Sequence, residues 1–248
     1  MTKNTINQVC LIMAMEGEAQ SLVQRLGMEE RSRLHPKLPA YYFQRRSGSM
    51  TTSVVLIGKD ERYDVDWVGT ELATLTTHLA LDSLQPELVI ATGTAGGFAT
   101  HGTEIGSICL SKGPFIYHDH HVPLDGFDKS AIGDYPAVDV SAIAAAFNWQ
   151  SGTISSGSSL RKTAEDVAVL TQRRAIAKDM ESTAVAGVCM LHEIPCFALR
   201  SITNLVDQVN NSEDVFSQNF STAVASLTDA LVSVLDYIEG KSIEDLAL

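Results

Sequence analysis

Glu16 and Glu18 close the first apolar run of a 248-residue chain. In extended backbone, residues two apart point the same way, so both carboxylates would face one pocket, oppose a phosphate and polarise a water. The competing explanation is a solvated helix N-terminus, which favours acids. Asp179-Met180-Glu181 sets two more carboxylates around a methionine. A carboxylate can accept both hydrogen bonds of a vicinal diol such as ribose, and a thioether packs against a flat ring or a sugar face. A helix start rich in acids explains the triplet equally well. Arg200, followed by Asn204 and Asp207, offers either a group that orients a ligand or a structural ion pair. Gly93-Thr94-Ala95-Gly96-Gly97 lets backbone approach a ligand beside the Thr94 hydroxyl, or is a tight turn between strands. It is not a dinucleotide fingerprint, because no helix follows it. His118-Asp119-His120-His121 invites a metal, yet no further ligand at metal spacing lies nearby. It reads as a polar loop near the ligand, and neither metal nor cofactor is expected.

The elements that must position these groups follow from the periodicity. Val9–Met15 is a strand, Glu18–Leu26 a helix, 28–40 a surface loop, and Tyr41–Arg46 with Thr51–Ile57 a hairpin across Ser47-Gly48-Ser49. Val65, Val68, Leu72, Leu75 and Leu79 recur at helical spacing in a helix that stops before Pro86. Glu87–Thr92, Ile105–Leu110, Phe115–His118, Ala175–Asp179 and Cys196–Thr203 are strands, Glu181–His192 is a helix, and Asp119–Asp139 is a long loop. A last helix carries Phe216, Phe220, Val224, Leu227, Leu231, Val234 and Ile238 on one stripe, with Ser212 as its cap. Strands alternating with helices, several of them apolar throughout, imply an α/β fold: three αβα layers around a mixed, largely parallel sheet. In such folds the site lies at the carboxyl ends of strands. That rule selects Met15–Glu18, Gly93–Gly97, Asp179–Glu181 and Arg200–Asp207.

Composition narrows the partners. The chain has 18 Lys+Arg against 30 Asp+Glu, a net charge of −12 and 45% hydrophobic residues, with only 19% charged. It can bury a core, it is not disordered, and a polyanion would be repelled, so no nucleic-acid partner is expected. No apolar run approaches the roughly 18–20 residues of a membrane span. The four cysteines, Cys10, Cys109, Cys189 and Cys196, sit within apolar runs without a C-x-x-C pair, as buried hydrophobes of a reducing cytoplasm do. No linker divides the chain, so residues 1–248 are expected to form a single domain.

Together these segments resemble the nucleoside phosphorylase/nucleosidase superfamily. Within it they resemble most the plant-type 5′-methylthioadenosine/S-adenosylhomocysteine nucleosidases. The matching stretches are VCLIMAMEGEAQSLV, ELVIATGTAGGF, ISSGSSL, AKDMESTAVAGVCMLHEIPCFALRSITNLVD and the closing helix. The resemblance implies hydrolysis of the N-glycosidic bond of an adenine nucleoside through an oxocarbenium-like transition state, with no cofactor. It implies that Glu18 deprotonates the water and that Glu181 holds the ribose hydroxyls beside Asp179. Met180 would lie under the sugar, and Arg200, Thr94 and Gly96 would line that end. The stretch Ser158–Leu160, with Ser158 and Leu160, would hold adenine. A homodimer is implied too, with Phe115–His118 as the candidate for the partner's contribution near the alkylthio end.

Two positions depart from the family pattern. Where the family protonates adenine N7 with an aspartate, the chain reads Thr203-Asn204, and where the family has Ser-Gly-Asp it reads Ser156-Gly157-Ser158. An amide donates a hydrogen bond but delivers no proton. Asn204 at the general-acid position therefore implies slow or absent turnover. A nucleoside-binding relative without catalysis is the alternative, and a phosphorylase ranks third because the first loop is acidic.

Overall fold

The computed structural model describes residues 5–208 and 212–248. β1 (Gln8–Met13) leads into α1 (Glu16–Leu26), β2 (Glu29–Arg33), β3 (Tyr41–Ser47), β4 (Met50–Leu56), β5 (Lys59–Asp60), β6 (Val65–Asp66) and α2 (Thr70–Leu84). β7 (Leu88–Gly97), β8 (Ile108–Ser111), β9 (Ile116–Tyr117), α3 (Phe127–Ile132), α4 (Ser141–Phe147) and β10 (Gln150–Ser156) follow. α5 (Ala164–Gln172), β11 (Ala175–Asp179), α6 (Ser182–Leu191), β12 (Cys196–Leu205) and α7 (Ser212–Ile238) complete the order.

One ten-stranded sheet runs β11-β10-β8-β12-β7-β1-β4-β3-β2, with β9 beside β10. Its pairs are parallel for β1 with β4 and β7, for β12 with β7, and for β10 with β8, β9 and β11. The far half of β7 also meets β11 antiparallel, so β7, β12, β8, β10 and β11 close into a ring. Side-chain alternation in β1 builds the layers. Val9, Leu11 and Met13 pack with α1, α4 and α7, whereas Cys10 and Ile12 pack with α2 and α6. Leu227 and Leu231 of α7 are fully buried, each worth about 1.5–3 kcal/mol of transfer free energy. The expected three layers and mostly parallel sheet are the observed ones.

Several local expectations change. The 28–40 segment contains the exposed strand β2, paired to β3; five polar residues gave no alternation to read. Val65 lies in β6 and Val68 precedes α2, while Leu75 points outward. α2 instead buries Ala73, Thr76, Thr77 and Ala80, small residues that let it pack closely on α6. Gly93–Gly97 is extended strand rather than a turn, because β12 and β11 pair with it on both sides. The 119–139 stretch holds α3, and α4 and α5 were not expected at all. A signal for α5 was present: the Thr163 hydroxyl accepts from the Asp166 N–H, and Asp166 accepts from the Thr163 N–H. The cap expected at Ser212 involves side chains outside the described residues, although α7 does begin there.

Candidate active site

The carboxyl ends of β1, β7, β11 and β12 surround a cavity of about 270 Å³, near the small end for ligand sites. Glu18, Thr94, Gly96, Leu160, Asp179, Met180, Glu181 and Asn204, all expected at the site, line it.

Glu18 sits in the first turn of α1, and its carboxylate is buried. Oε1 accepts from the Thr94 N–H at 2.7 Å and from the Thr94 hydroxyl at 2.6 Å, and Oε2 accepts from the Met15 N–H at 3.4 Å. Burial nonetheless pushes its pKa above the ordinary range, against the pull of these donors and of Arg200. Such a carboxylate can take a proton from a water near neutral pH. Glu16 does not share the pocket. The segment is helical, so residues two apart diverge; Glu16 is exposed and pairs with Lys59 at 3.3 Å. Gly93 makes the Glu18 position possible. Its φ is +142°, and a Cβ there would lie 2.8 Å from both Arg200 Nη1 and Glu18 Oε2.

The two carboxylates of Asp179-Met180-Glu181 divide their work. Asp179 ends β11 and caps α6, accepting from the Glu181 and Ser182 N–H groups, both at 3.2 Å, and from the Ser156 and Ser182 hydroxyls. It also pairs with Arg200 Nε at 2.8 Å, and both side chains are buried. Its acceptor capacity is consumed, so although Asp179 borders the cavity it has none left for a sugar diol. Arg200, unlike Asp179, does not line the cavity. It donates to Ser182 Oγ at 3.0 and 2.8 Å and stands 3.9 Å from Glu181. Glu181 is the carboxylate that faces inward. Gly69 N–H donates to its Oε1 at 3.0 Å, and burial pushes its pKa up to about 7 despite Arg200, with Asp179 and Glu18 adding to the rise.

The far end is built differently. β12 carries an irregularity between Ile202 and Asn204, which places Asn204 opposite Gly96 of β7. Bulges of this kind re-aim a side chain. The Thr203 hydroxyl lies 3.2 Å from the Ala95 carbonyl and 3.0 Å from Asn204 Oδ1, with one proton for the two acceptors. Ser158 does not line the cavity but fastens the loop beside it. Its hydroxyl is 2.6 Å from Thr70 Oγ1 and donates to Glu71 Oε2 at 3.1 Å, while its N–H donates to Asp119 at 2.8 Å. Gly69 and Thr70 thus tie the Glu181 end to the Ser158 loop. An aspartate at 158 would place a second carboxylate against Glu71, so the serine suits this neighbour.

Other expected groups lie elsewhere. Asp207 accepts from the Ala99 and Thr100 N–H groups at 2.9 and 2.8 Å and has a structural role. His118 is buried against Ser155, His120 stacks on Tyr117 and His121 meets Asp166, so the three rings do not converge. Phe115–His118 is buried within this chain, whereas Leu124 and Phe127 just beyond it are exposed. Met15, Ala95 and Thr203, within the strand ends selected from the sequence, also line the cavity, whereas Ala14, Val68 and Phe216 line it without having been expected. Phe216 was legible only as part of the α7 stripe, whose first turns reach past the core.

The phosphorylase superfamily model matches residues 8–236. The 5′-methylthioadenosine nucleosidase of Arabidopsis thaliana is 32% identical over 243 residues, 97% of this chain and 91% of that protein. The 5′-methylthioadenosine/S-adenosylhomocysteine nucleosidase of the same plant is 31% identical, over 98% of this chain and 96% of its own length. The solved apo structure of Arabidopsis thaliana 5′-methylthioadenosine nucleosidase superposes with a TM-score of 0.95 over 98% of this chain and 100% of that one, at 31% identity.

Proposed function

The chain belongs to the phosphorylase superfamily, within its methylthioadenosine/S-adenosylhomocysteine nucleosidases, and from that premise we propose that it hydrolyses the N-glycosidic bond of 5′-methylthioadenosine. The products are adenine and the thioribose. The observation that carries this reading is Glu18, buried at the cavity with Thr94 fixing one oxygen. Glu181 accepts from the ribose hydroxyls, and Met180 packs under the sugar. A water on the opposite face of C1′ from the base loses its proton to Glu18 as the C1′–N9 bond breaks. Arg200 supports this set from beneath, through Asp179 and Ser182. Water is the nucleophile in preference to phosphate, because Glu18 and Glu181 would repel an anion and the nearby arginine is already paired.

Asn204 stands where a proton would reach adenine N7, and an amide has none to give. A general acid contributes about 10²–10⁴ in rate, so turnover of an adenine nucleoside is slow. We infer a homodimer as well, with Val122, Leu124 and Phe127, exposed here, covered by the second copy near the alkylthio end. Adenine release from methylthioadenosine without phosphate tests the proposal. Release that is independent of phosphate supports it, and release that requires phosphate overturns it. Nucleoside binding without release, unchanged by Asn204→Asp, would turn the reading to a non-catalytic binding relative.

A further inference from the structure

The surface between α2 and α6 carries a cluster that the chemistry at the cavity does not use. His78 and Asp82 stand one turn apart on the exposed face of α2, with His78 Nε2 3.6 Å from Asp82 Oδ2. His192 follows the last turn of α6, where its N–H donates to the Val188 carbonyl at 3.1 Å. Its ring Nε2 lies 3.1 Å from His78 Nδ1. The ring centroids are 5.2 Å apart and the planes tilted by 51°, so edges meet rather than faces. One ligand atom from each of the three residues lies within 4.8 Å of the other two. No other trio of histidine, cysteine or carboxylate groups among the described residues converges in this way.

Two imidazoles and one carboxylate are a donor set for late first-row divalent cations. Positions i and i+4 of a helix present two such ligands to one ion from the same face. Imidazole nitrogens on one tetrahedral zinc, each at 2.0–2.1 Å, stand about 3.3 Å apart, so the two rings are already near that spacing. A plain hydrogen bond between the rings gives the same distance. It is open to water and worth little, and it makes no use of the carboxylate beside it. A cation draws on all three groups at once. The net charge of −12 favours its approach, and the four cysteines are buried, which leaves no accessible thiol to compete for it.

We propose that His78, Asp82 and His192 bind a late first-row divalent cation such as Zn²⁺, and that the ion clips α2 to α6. Each residue supplies one ligand, and water completes the coordination. The starts of the two helices are already joined, because Gly69 ahead of α2 donates to Glu181 ahead of α6. The ion joins their far ends. His78 lies about 12 Å along α2 from Thr70, so the ion takes no part in the chemistry at the cavity. Its role is to fix how the two helices pack. His192 is 114 residues from His78, so no spacing along the chain reveals the set.

Calorimetric titration of the full chain, freed of metal by a chelator, with zinc chloride at neutral pH tests the inference. One ion per chain is expected, with micromolar or tighter affinity and a higher unfolding temperature in zinc than in chelator. His78→Ala and His192→Ala should each weaken binding at least tenfold and abolish the rise in unfolding temperature. Asp82→Asn should weaken binding severalfold. The unfolding temperature in chelator shows that each variant is folded before zinc is added. Absence of zinc binding by the unaltered chain overturns the inference. Binding that His192→Ala leaves unchanged overturns it too, because the ion would then sit on α2 alone or elsewhere and clip nothing. The nucleosidase reading is tested separately, by adenine release, and neither result moves it.

Discussion

At the sugar end, Glu18 on α1, Glu181 at the start of α6 and Asp179 at the end of β11 border the cavity, with Arg200 of β12 beneath them, and each is held by groups on other elements. At the base end, Asn204 and Leu160 stand on a bulge and an exposed loop, with positive side chains behind. Changing one member of the first set leaves a buried charge without its partner, which costs about 3–5 kcal/mol for an ion pair such as Asp179–Arg200. The second set carries less of the fold, so it can change while the sugar chemistry stays. Asn204 and Ser158, the two positions where the resemblance implies other residues, both fall at this end.

Four substitutions would break or sharpen this contrast. Glu18→Gln removes the proton acceptor, and base release should fall by about 10³, within the range of general-base catalysis. In the unaltered chain kcat/KM should rise with pH as Glu18 ionises, with a midpoint above the usual carboxylate range, since burial raises its pKa. A pH-independent rate would count against that role. Asn204→Asp should act in the opposite direction at the other end, raising adenine release from methylthioadenosine by about 10². No gain there, with Glu18→Gln still inactive, would mean that more than a proton donor is missing.

Glu181→Gln should lower kcat/KM by roughly 10–100-fold, the value of a hydrogen bond to a charged group, mainly through KM. Its effect on stability has a definite sign. The folded pKa, about 7, lies above the ordinary 4.5, so the folded chain keeps a proton that the unfolded chain releases. The contribution of Glu181 to stability is therefore greatest below about 4.5 and declines as pH rises to about 7. Thermal unfolding at pH 5 and pH 8 should show this gap, and Glu181→Gln should narrow it. Ser158→Asp is the smallest change. It sets a carboxylate against Glu71 and should cost about 0.5–1.5 kcal/mol with a few-fold rise in KM. A second change, Glu71→Gln, should restore both. Failure of that rescue would show that the Ser158 clamp does not act through Glu71.

The sequence alone determined the layers and much of the site. Alternation in Val9–Met13 and the stripe on α7 are local periodicities, and each buried face is legible within its own element. The resemblance carried Glu18, Thr94, Met180, Glu181 and Asn204 to positions that do surround one cavity. Tertiary structure decided the rest. Glu16 and Glu18 diverge because their segment winds into α1, and Gly93–Gly97 stays extended because β11 and β12 pair with it. Asp179 is withdrawn from ligand binding by Arg200, twenty-one residues away, and by the backbone it caps. Val68 and Phe216 reach the cavity from segments whose own patterns marked them as helix faces. A side chain's direction within its element depends on neighbours in the chain and can be read there. Its partner atoms depend on which distant segments pack beside it, and only the folded chain fixes those.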